Sequence, residues 1–191
     1  GRIIDAAEET GAQVVVVSEY GLVPVNKPVH LNRCLRETGW LVVRDGPFGE
    51  MMMPGESDAF AVADHQLAHI YVRDVERIGD VQRQLESLDG VQHVLPPGDL
   101  ELDHPRSGEL IALADPDAWF TYYYWLESDS APDFARTVDI HRKPGYDPVE
   151  LFFDPATKSI PLDATLVRGS HGAPVAEGAG KGVLLSSRPG V

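Results

Sequence analysis

Blocks of hydrophobic and polar positions along the chain predict both helices and strands. The most informative block is 14–17, four consecutive valines followed by Ser18, Glu19, Tyr20 and Gly21. An uninterrupted β-branched run is typical of a strand buried on both faces of a mostly parallel sheet. Ligands of such sheets bind beyond the carboxyl ends of the strands, so Glu19 and Tyr20 are predicted to reach a site. The alternative is a loop with an incidental carboxylate.

The remaining pattern predicts a layered α/β/α sheet domain with a small inserted α+β cap. Segment 48–106 has its own strand, helix and strand, so we assign it to the cap and assign 1–47 with 107–191 to the core domain. Segment 46–55 is predicted to be a loop. The predicted helices are 2–9, 30–38 and 74–88, and the predicted strands are 13–17, 40–43, 59–72, 91–95, 108–115, 150–154 and 183–185.

Charge and composition exclude several classes of function. The 191 residues include 30 acidic and 16 basic side chains, with a net charge of -14. This charge repels a polyphosphate, so a broad nucleic-acid surface is not expected. No apolar run approaches the ~18 residues of a membrane span. The single cysteine, Cys34, cannot form an internal disulfide and favours a reducing compartment, hence a cytoplasmic protein.

Two groups of histidines are candidates for chemistry. His171 lies in the glycine-rich turn 169–172, where little bulk crowds its imidazole. A metal ligand, a general acid and a plain surface histidine all fit that setting. Asp64, His65 and His69 form the second group. Since His65 and His69 share one face of the predicted strand, a surface stripe on the cap is the favoured interpretation.

The loop 141–147 brings an imidazole, two cations and a carboxylate together. Its cations could hold a phosphate, and its imidazole or carboxylate could complete a metal site. The alternative is a solvated loop with local ion pairs. The glycine-rich segment 178–182 lacks the spacing and the hydroxyl residue of a phosphate-binding P-loop, so we discount it. The candidate residues of the loop are His141, Arg142, Lys143 and Asp147.

The segment 117–125 is strongly aromatic. Such a cluster usually forms a wall of the core or an interface, and a stacking platform for a base or another ring is the alternative. Its rings are Trp119, Phe120, Tyr122, Tyr123, Tyr124 and Trp125.

Four short motifs follow one another along the chain. They are the tetrapeptide 18–21, the two cap segments 68–72 and 90–94 taken as one motif, the segment 106–115 and the turn 169–172. In this order they resemble the type I phosphodiesterase and nucleotide pyrophosphatase branch of the alkaline phosphatase superfamily. That family usually has Ser-Asp-His-Gly at the first motif and Gly-Thr-His-Gly at the last. The resemblance implies an alkaline-phosphatase-like core.

The resemblance also implies a chemistry. Family members hold a phosphoryl group between two divalent metal ions, commonly zinc, with manganese or iron as alternatives, and transfer it to a Thr or Ser and then to water. Glu19 would replace an aspartate ligand and Tyr20 a histidine ligand, while His171 would be the histidine of the other metal. The substrate would be a small phosphoester.

The family's nucleophile and first metal ligands lie ahead of the matching segment. We therefore expect this chain to be the carboxyl-terminal part of a metal-dependent phosphoester hydrolase, without a catalytic nucleophile of its own and inactive alone. One alternative is a phosphonate, sulfate or phosphomonoester hydrolase, or a mutase, of the same superfamily. Another is a non-catalytic domain that binds a ligand or partner through the aromatic segment 119–125.

Overall fold

The computed structural model describes residues 1–174 and 181–188, and it confirms a mixed α/β protein. Among the described residues, no helix is both long enough and apolar enough to cross a bilayer. Short 3-10 segments connect many of the elements. The helices are α1 (Arg2–Glu9), α2 (Leu31–Glu37) and α3 (Ile78–Glu86), and the strands are β1 (Val15–Val17), β2 (Val23–Pro24), β3 (Lys27–Val29), β4 (Val43–Gly46), β5 (Gly49–Met52), β6 (Ala59–Asp64), β7 (Leu67–Val72), β8 (Val91–Leu95), β9 (Leu110–Ala114), β10 (Ala118–Phe120), β11 (Gly169–Ser170) and β12 (Leu184–Ser186).

A four-stranded antiparallel sheet, in the order β6-β7-β9-β8, lies at the centre of the fold. Every residue of β9 is buried, whereas β7 alternates between buried and half-buried residues. Helix α3 packs on β8 and β9 and buries Val81 and Leu85. Truncating Leu85 to alanine would therefore destabilise the protein by about 2–5 kcal/mol.

The central sheet crosses the predicted division of the chain. Strand β9 belongs to the predicted core domain 107–191, yet it pairs with β7 and β8, which belong to the predicted cap 48–106. The division into core and cap stays a prediction.

The aromatic segment is the main wall of the hydrophobic core. Its six rings are at most 2% exposed. The four rings of residues 122–125 contact one another largely edge to face, as Tyr122 and Trp125 do at 5.5 Å and 70°, the geometry that aromatic quadrupoles favour. The core interpretation is confirmed. The idea that this segment is a stacking platform, or a surface that binds a partner, is wrong because its rings cannot be reached.

The valine strand differs most from its prediction. Strand β1 pairs antiparallel with β12 in a two-stranded sheet, and all three of its residues are exposed. Helix α1 forms where the sequence predicts it, but it has no buried residue and does not cover β1. The prediction of a strand buried on both faces of a mostly parallel sheet is therefore wrong. Among the described strands, only β3 and β10 pair in parallel.

Several other boundaries also changed. The predicted strand 59–72 is in fact the hairpin β6-β7. The pattern did not reveal the turn at His65 and Gln66, because the turn contains no glycine or proline. The predicted loop 46–55 contains β5, the predicted strand 40–43 begins only at Val43, and the predicted strand 150–154 is the 3-10 helix Pro148–Phe152. The helices at 30–38 and 74–88 and the strands at 91–95 and 108–115 are confirmed within a few residues.

Candidate functional site

Two remote segments meet at Tyr20 and His171. Strand β2 pairs antiparallel with β11, with Ser170 opposite Val23. Tyr20 precedes β2 and His171 follows β11, so the antiparallel pairing brings both to the same end. Their rings stack with centroids 3.6 Å apart and planes inclined by 11°. The tertiary structure thus joins the tetrapeptide 18–21 to the turn 169–172.

Two further rings extend this stack. The centroid of His65 lies 3.9 Å from that of His171, with the planes at 31°. The ring of Tyr146 stacks on the face of His65 that is turned away from His171, with centroids 4.4 Å apart and planes inclined by 29°. We call Tyr20, His171, His65 and Tyr146, in this order, the ring row. Its two end rings, Tyr20 and Tyr146, are 47% and 48% exposed, so the row reaches the surface at both ends.

A cleft adjoins each end of the ring row. The cleft of about 250 Å³ beside Tyr20 is also lined by Gln66, His171 and Gly172. The cleft of about 320 Å³ beside Tyr146 is lined by carboxylates, among them Asp64. Each cleft could admit a small polar molecule next to the aromatic rings.

His65 sits in the turn of the β6-β7 hairpin with a strained backbone. Its φ of 59° lies in the left-handed region, which non-glycine residues seldom adopt. Its carbonyl accepts a hydrogen bond from the amide of Phe120 at 2.7 Å, and the amide of Gln66 donates to the carbonyl of His171 at 2.9 Å. The imidazole Nδ1 lies 2.6 Å from Oδ1 of Asp64. Two remote segments therefore anchor to this one turn.

The loop 141–147 reaches the ring row through Gly145. The amide of Tyr146 donates to the carbonyl of Ala63 at 2.8 Å. Gly145 has a φ of +135°, and a Cβ on it would lie 2.7 Å from the same carbonyl oxygen. Glycine is required here because only a residue without a side chain permits this approach, which places the Tyr146 ring on His65.

The candidate residues of this loop have other partners. The ammonium of Lys143 is buried and donates to Asp147 at 2.7 Å and to Glu150 at 2.6 Å. Arg142 is paired with the exposed Asp133 and the half-buried Asp139, and His141 is exposed. An anion would have to displace these ion pairs. A phosphate-binding or metal-binding role for His141, Arg142, Lys143 and Asp147 stays a prediction.

Two carboxylates, Asp64 and Glu19, act electrostatically on the His171 ring. The hydrogen bond from His65 lowers the pKa of Asp64. Burial lowers the pKa of His171, and repulsion from His65 acts in the same direction, while Asp64 and Glu19 oppose the change. The lowered pKa favours the uncharged form of the His171 imidazole, which has a lone pair that can accept a proton or a cation.

The donor atoms here are of types that bind divalent cations. Yet within residues 1–174 and 181–188 no three His, Cys, Asp or Glu side chains are placed to hold one ion together. Stacking also sets the ring planes of Tyr20 and His171 nearly parallel, so donors that lie in these planes do not converge on one ion. The described residues do not form a complete metal centre, and no reaction step is derived through one. Ligand roles for Glu19, Tyr20 and His171 stay predictions.

Asp64 and His65 were named as candidates from the sequence, but a surface stripe was the favoured interpretation of the histidines. The stripe is wrong for His65, because its side chain is only 11% exposed and belongs to the turn, not to a strand face. His69 does lie on β7, where its Nδ1 accepts a hydrogen bond from the amide of Gly108 at 3.2 Å. A turn at His65 could have been inferred only from the length of the predicted strand 59–72, which is long for one strand.

The chain belongs to the type I phosphodiesterase / nucleotide pyrophosphatase family, whose family model matches residues 1–147. The family resemblance of the motifs is confirmed. The match ends before His171, so the resemblance of the last motif stays a prediction from the sequence.

Two solved structures are similar to the chain. Phosphonoacetate hydrolase from Sinorhizobium meliloti 1021, in complex with phosphonoacetate, is 16% identical, with a TM-score of 0.46 over 69% of this chain and 32% of the other. Murine ectonucleotide pyrophosphatase / phosphodiesterase 5 is 14% identical, with a TM-score of 0.41 over 69% and 32%. The chain thus spans about a third of the length of these proteins. No curated protein matches it.

Proposed function

We propose that the whole protein hydrolyses phosphoric esters and that the ring row forms part of its active site. Family membership supports the reaction class. The observation that supports the site is the contact between Tyr20 and His171, because it unites the two motifs whose residues carry the predicted ligand roles. The substrate we propose is a small phosphoester, since a net charge of -14 disfavours a polyanion.

The chain's own residues would bind and orient the substrate beside the row. The imidazole of His171 would hold a proton or a cation at its lone pair, and the negative charge of Glu19 would favour the bound cation. Glu19 and Tyr20 are the donors we propose for one divalent cation, and His171 is the donor we propose for the other. Zinc is the first choice, manganese or iron are the alternatives, and two ions are proposed per enzyme. When bound, such ions would stabilise the charge of the phosphoryl group, and further ligands would have to come from residues outside this set.

The test is carried out on the full-length protein. Bound metal is measured by mass spectrometry, and turnover is measured on bis(4-nitrophenyl) phosphate, 4-nitrophenyl phosphate, 4-nitrophenyl sulfate and an aryl phosphonate. We expect metal-dependent turnover of the diester, with loss of both metal and turnover in His171→Ala. His93→Ala removes an exposed histidine of β8 and serves as the matched control, so it should behave as the wild type.

Three outcomes would change the proposal. Absence of both bound metal and turnover of every ester in the full-length protein would contradict it. Faster turnover of the sulfate or the phosphonate would keep the hydrolase and replace the substrate class. Metal-dependent turnover by the 191-residue chain alone would contradict the assignment of the nucleophile to the remainder of the protein. The cytoplasmic location remains part of the proposal and is checked by fractionation.

A further inference from the structure

We propose that Asp64 and His65 are positioning residues that hold the imidazole of His171 in a single orientation. The inference deepens the proposed function, on which its kinetic readout rests. Neither residue is among the predicted metal donors. The geometry that carries the inference is the hairpin turn between β6 and β7, which contacts residue 171 through both its backbone and its side chain.

His171 needs an external support. His171 follows the two-residue strand β11 and precedes Gly172, whose φ is +106°. The neighbouring backbone therefore does little to define the position of the imidazole ring. Tyr20 covers one face of the ring, but Tyr20 is itself half-exposed. His65 covers the other face, at 3.9 Å between centroids. With both faces covered, rotation of the His171 side chain is blocked in either direction.

The turn is better anchored than the ring that it supports. The hydrogen bond between Gln66 and the carbonyl of His171 locates the backbone at 171, while the bond from Phe120 fixes the carbonyl of His65. The side-chain amide of Gln66 donates to the carbonyl of Ala118 at 3.1 Å, which ties the turn to the core. The strained φ of His65 persists because the surroundings impose it.

Asp64 sets the plane of the His65 ring. Its Oδ1 accepts a hydrogen bond from the His65 Nδ1 at 2.6 Å, since an ionised carboxylate can only accept. The same bond stops the imidazole of His65 from turning about its Cβ. Asp64 thus acts on His171 through His65, in the manner of the carboxylates that orient functional histidines in other sites.

The decisive variant is His65→Gly. Glycine adopts a positive φ without strain, so the turn keeps its shape while the supporting ring is removed. Glu101→Gly is the matched control, because Glu101 also has a positive φ, of 58°, and is exposed outside the ring row. Asp64→Ala is the second variant. It removes an exposed carboxylate, so it retains the fold even if the turn variant does not.

Two readouts are measured on the full-length protein. The first is the set of nuclear Overhauser contacts between isotope-labelled Tyr20 and His171 rings, which needs no activity. The second is kcat and KM on the ester that turns over fastest. In His65→Gly we expect loss of the ring contacts and a fall in kcat of about 100-fold, with KM nearly unchanged, since misplacement by about 1 Å has that effect. Asp64→Ala should show the same changes to a smaller degree, and Glu101→Gly neither.

The outcomes separate the two proposals. Preserved ring contacts and kcat in both His65→Gly and Asp64→Ala would overturn the positioning role and leave the hydrolase proposal standing. Lost ring contacts in a protein without esterase activity would support the positioning role and reject the hydrolase. A rise in KM with kcat unchanged would also overturn the inference, because it would make His65 a residue that binds substrate.

Discussion

The imidazole of His171 lies face to face with the phenol ring of Tyr20, at 3.6 Å between centroids. The contact depends on a strand pairing only two residues long, between β2 and β11. A pairing this short is not stable alone. Stacking of the rings, which contributes about 0.5–1.5 kcal/mol for an aromatic pair, therefore helps to close the site.

Two substitutions of Tyr20 distinguish the contribution of its ring from that of its hydroxyl. We expect Tyr20→Phe to keep the stack on His171 and to leave the free energy of unfolding within about 0.5 kcal/mol of wild type. Tyr20→Ala should lose about 1 kcal/mol. If the phenol oxygen is a metal donor, Tyr20→Phe will also lower the metal content of the full-length protein. Urea unfolding and metal analysis check the two effects, and a Phe variant as unstable as the Ala variant would contradict the stacking role.

Gly145→Ala should detach the loop 141–147 from the hairpin. The added Cβ would lie 2.7 Å from the carbonyl oxygen of Ala63, at a φ of +135°. We expect the free energy of unfolding to fall by about 1–3 kcal/mol because of the backbone strain. Gly55→Ala is the control, since a Cβ there meets no atom within 4 Å, and it should change stability by no more than about 0.5 kcal/mol. Equal unfolding midpoints for the two variants would show that the close approach is not required.

The buried ammonium of Lys143 should be indispensable for stability. It is 1% exposed and lies between Asp147 and Glu150, while burial raises the pKa of Asp147. Lys143→Met leaves a carboxylate buried without a counter-charge, so we expect a loss of about 3–5 kcal/mol at pH 7. Part of that loss should be recovered at acidic pH, where Asp147 takes up a proton.

The control for Lys143→Met is Arg44→Met, which breaks the ion pair with Glu56. Both members of that pair are exposed, by 63% and 41%, so we expect a change no larger than about 1 kcal/mol. Chemical denaturation at pH 7 and pH 5 compares the variants. A similar loss in both would mean that burial of the Lys143 pair has no consequence.

His30 should make stability depend on pH. Burial lowers the pKa of its imidazole from 6.5 to about 4, and its Nδ1 lies 2.7 Å from the hydroxyl of Thr121. As pH falls the unfolded chain is protonated first, so the contribution is complete above about pH 6.5 and is lost between there and about pH 4. The difference is about 3 kcal/mol over that range, of which about 2 is lost by pH 5.

The variant that tests this is His30→Gln, whose amide can bond Thr121 but does not titrate. Unfolding free energies at pH 7 and pH 5 should differ by about 2 kcal/mol more in the wild type than in the variant. Identical pH dependence in the two proteins would show that His30 is not protonated differently on unfolding.

Elements whose signal is local could be predicted from the sequence. Helix α1 and strands β8 and β9 lie where periodicity and flanking glycines indicate, because their residues are neighbours in the chain. The motifs 18–21 and 169–172 were recognisable as residue types in order, and they led to Glu19, Tyr20 and His171. Their spacing along the chain did not predict the stacking of Tyr20 on His171.

By itself, the sequence determined the family, the acidic charge, most helices and the aromatic segment of the core. Only the tertiary structure decided that the valines of β1 are exposed, that the turn at His65 supports His171, and that Lys143 is neutralised by two carboxylates. The physical reason is that an apolar pattern indicates only which residues a segment is able to bury. Whether they are buried, and which strains and ion pairs form, depends on residues that are distant in the chain and adjacent only after folding.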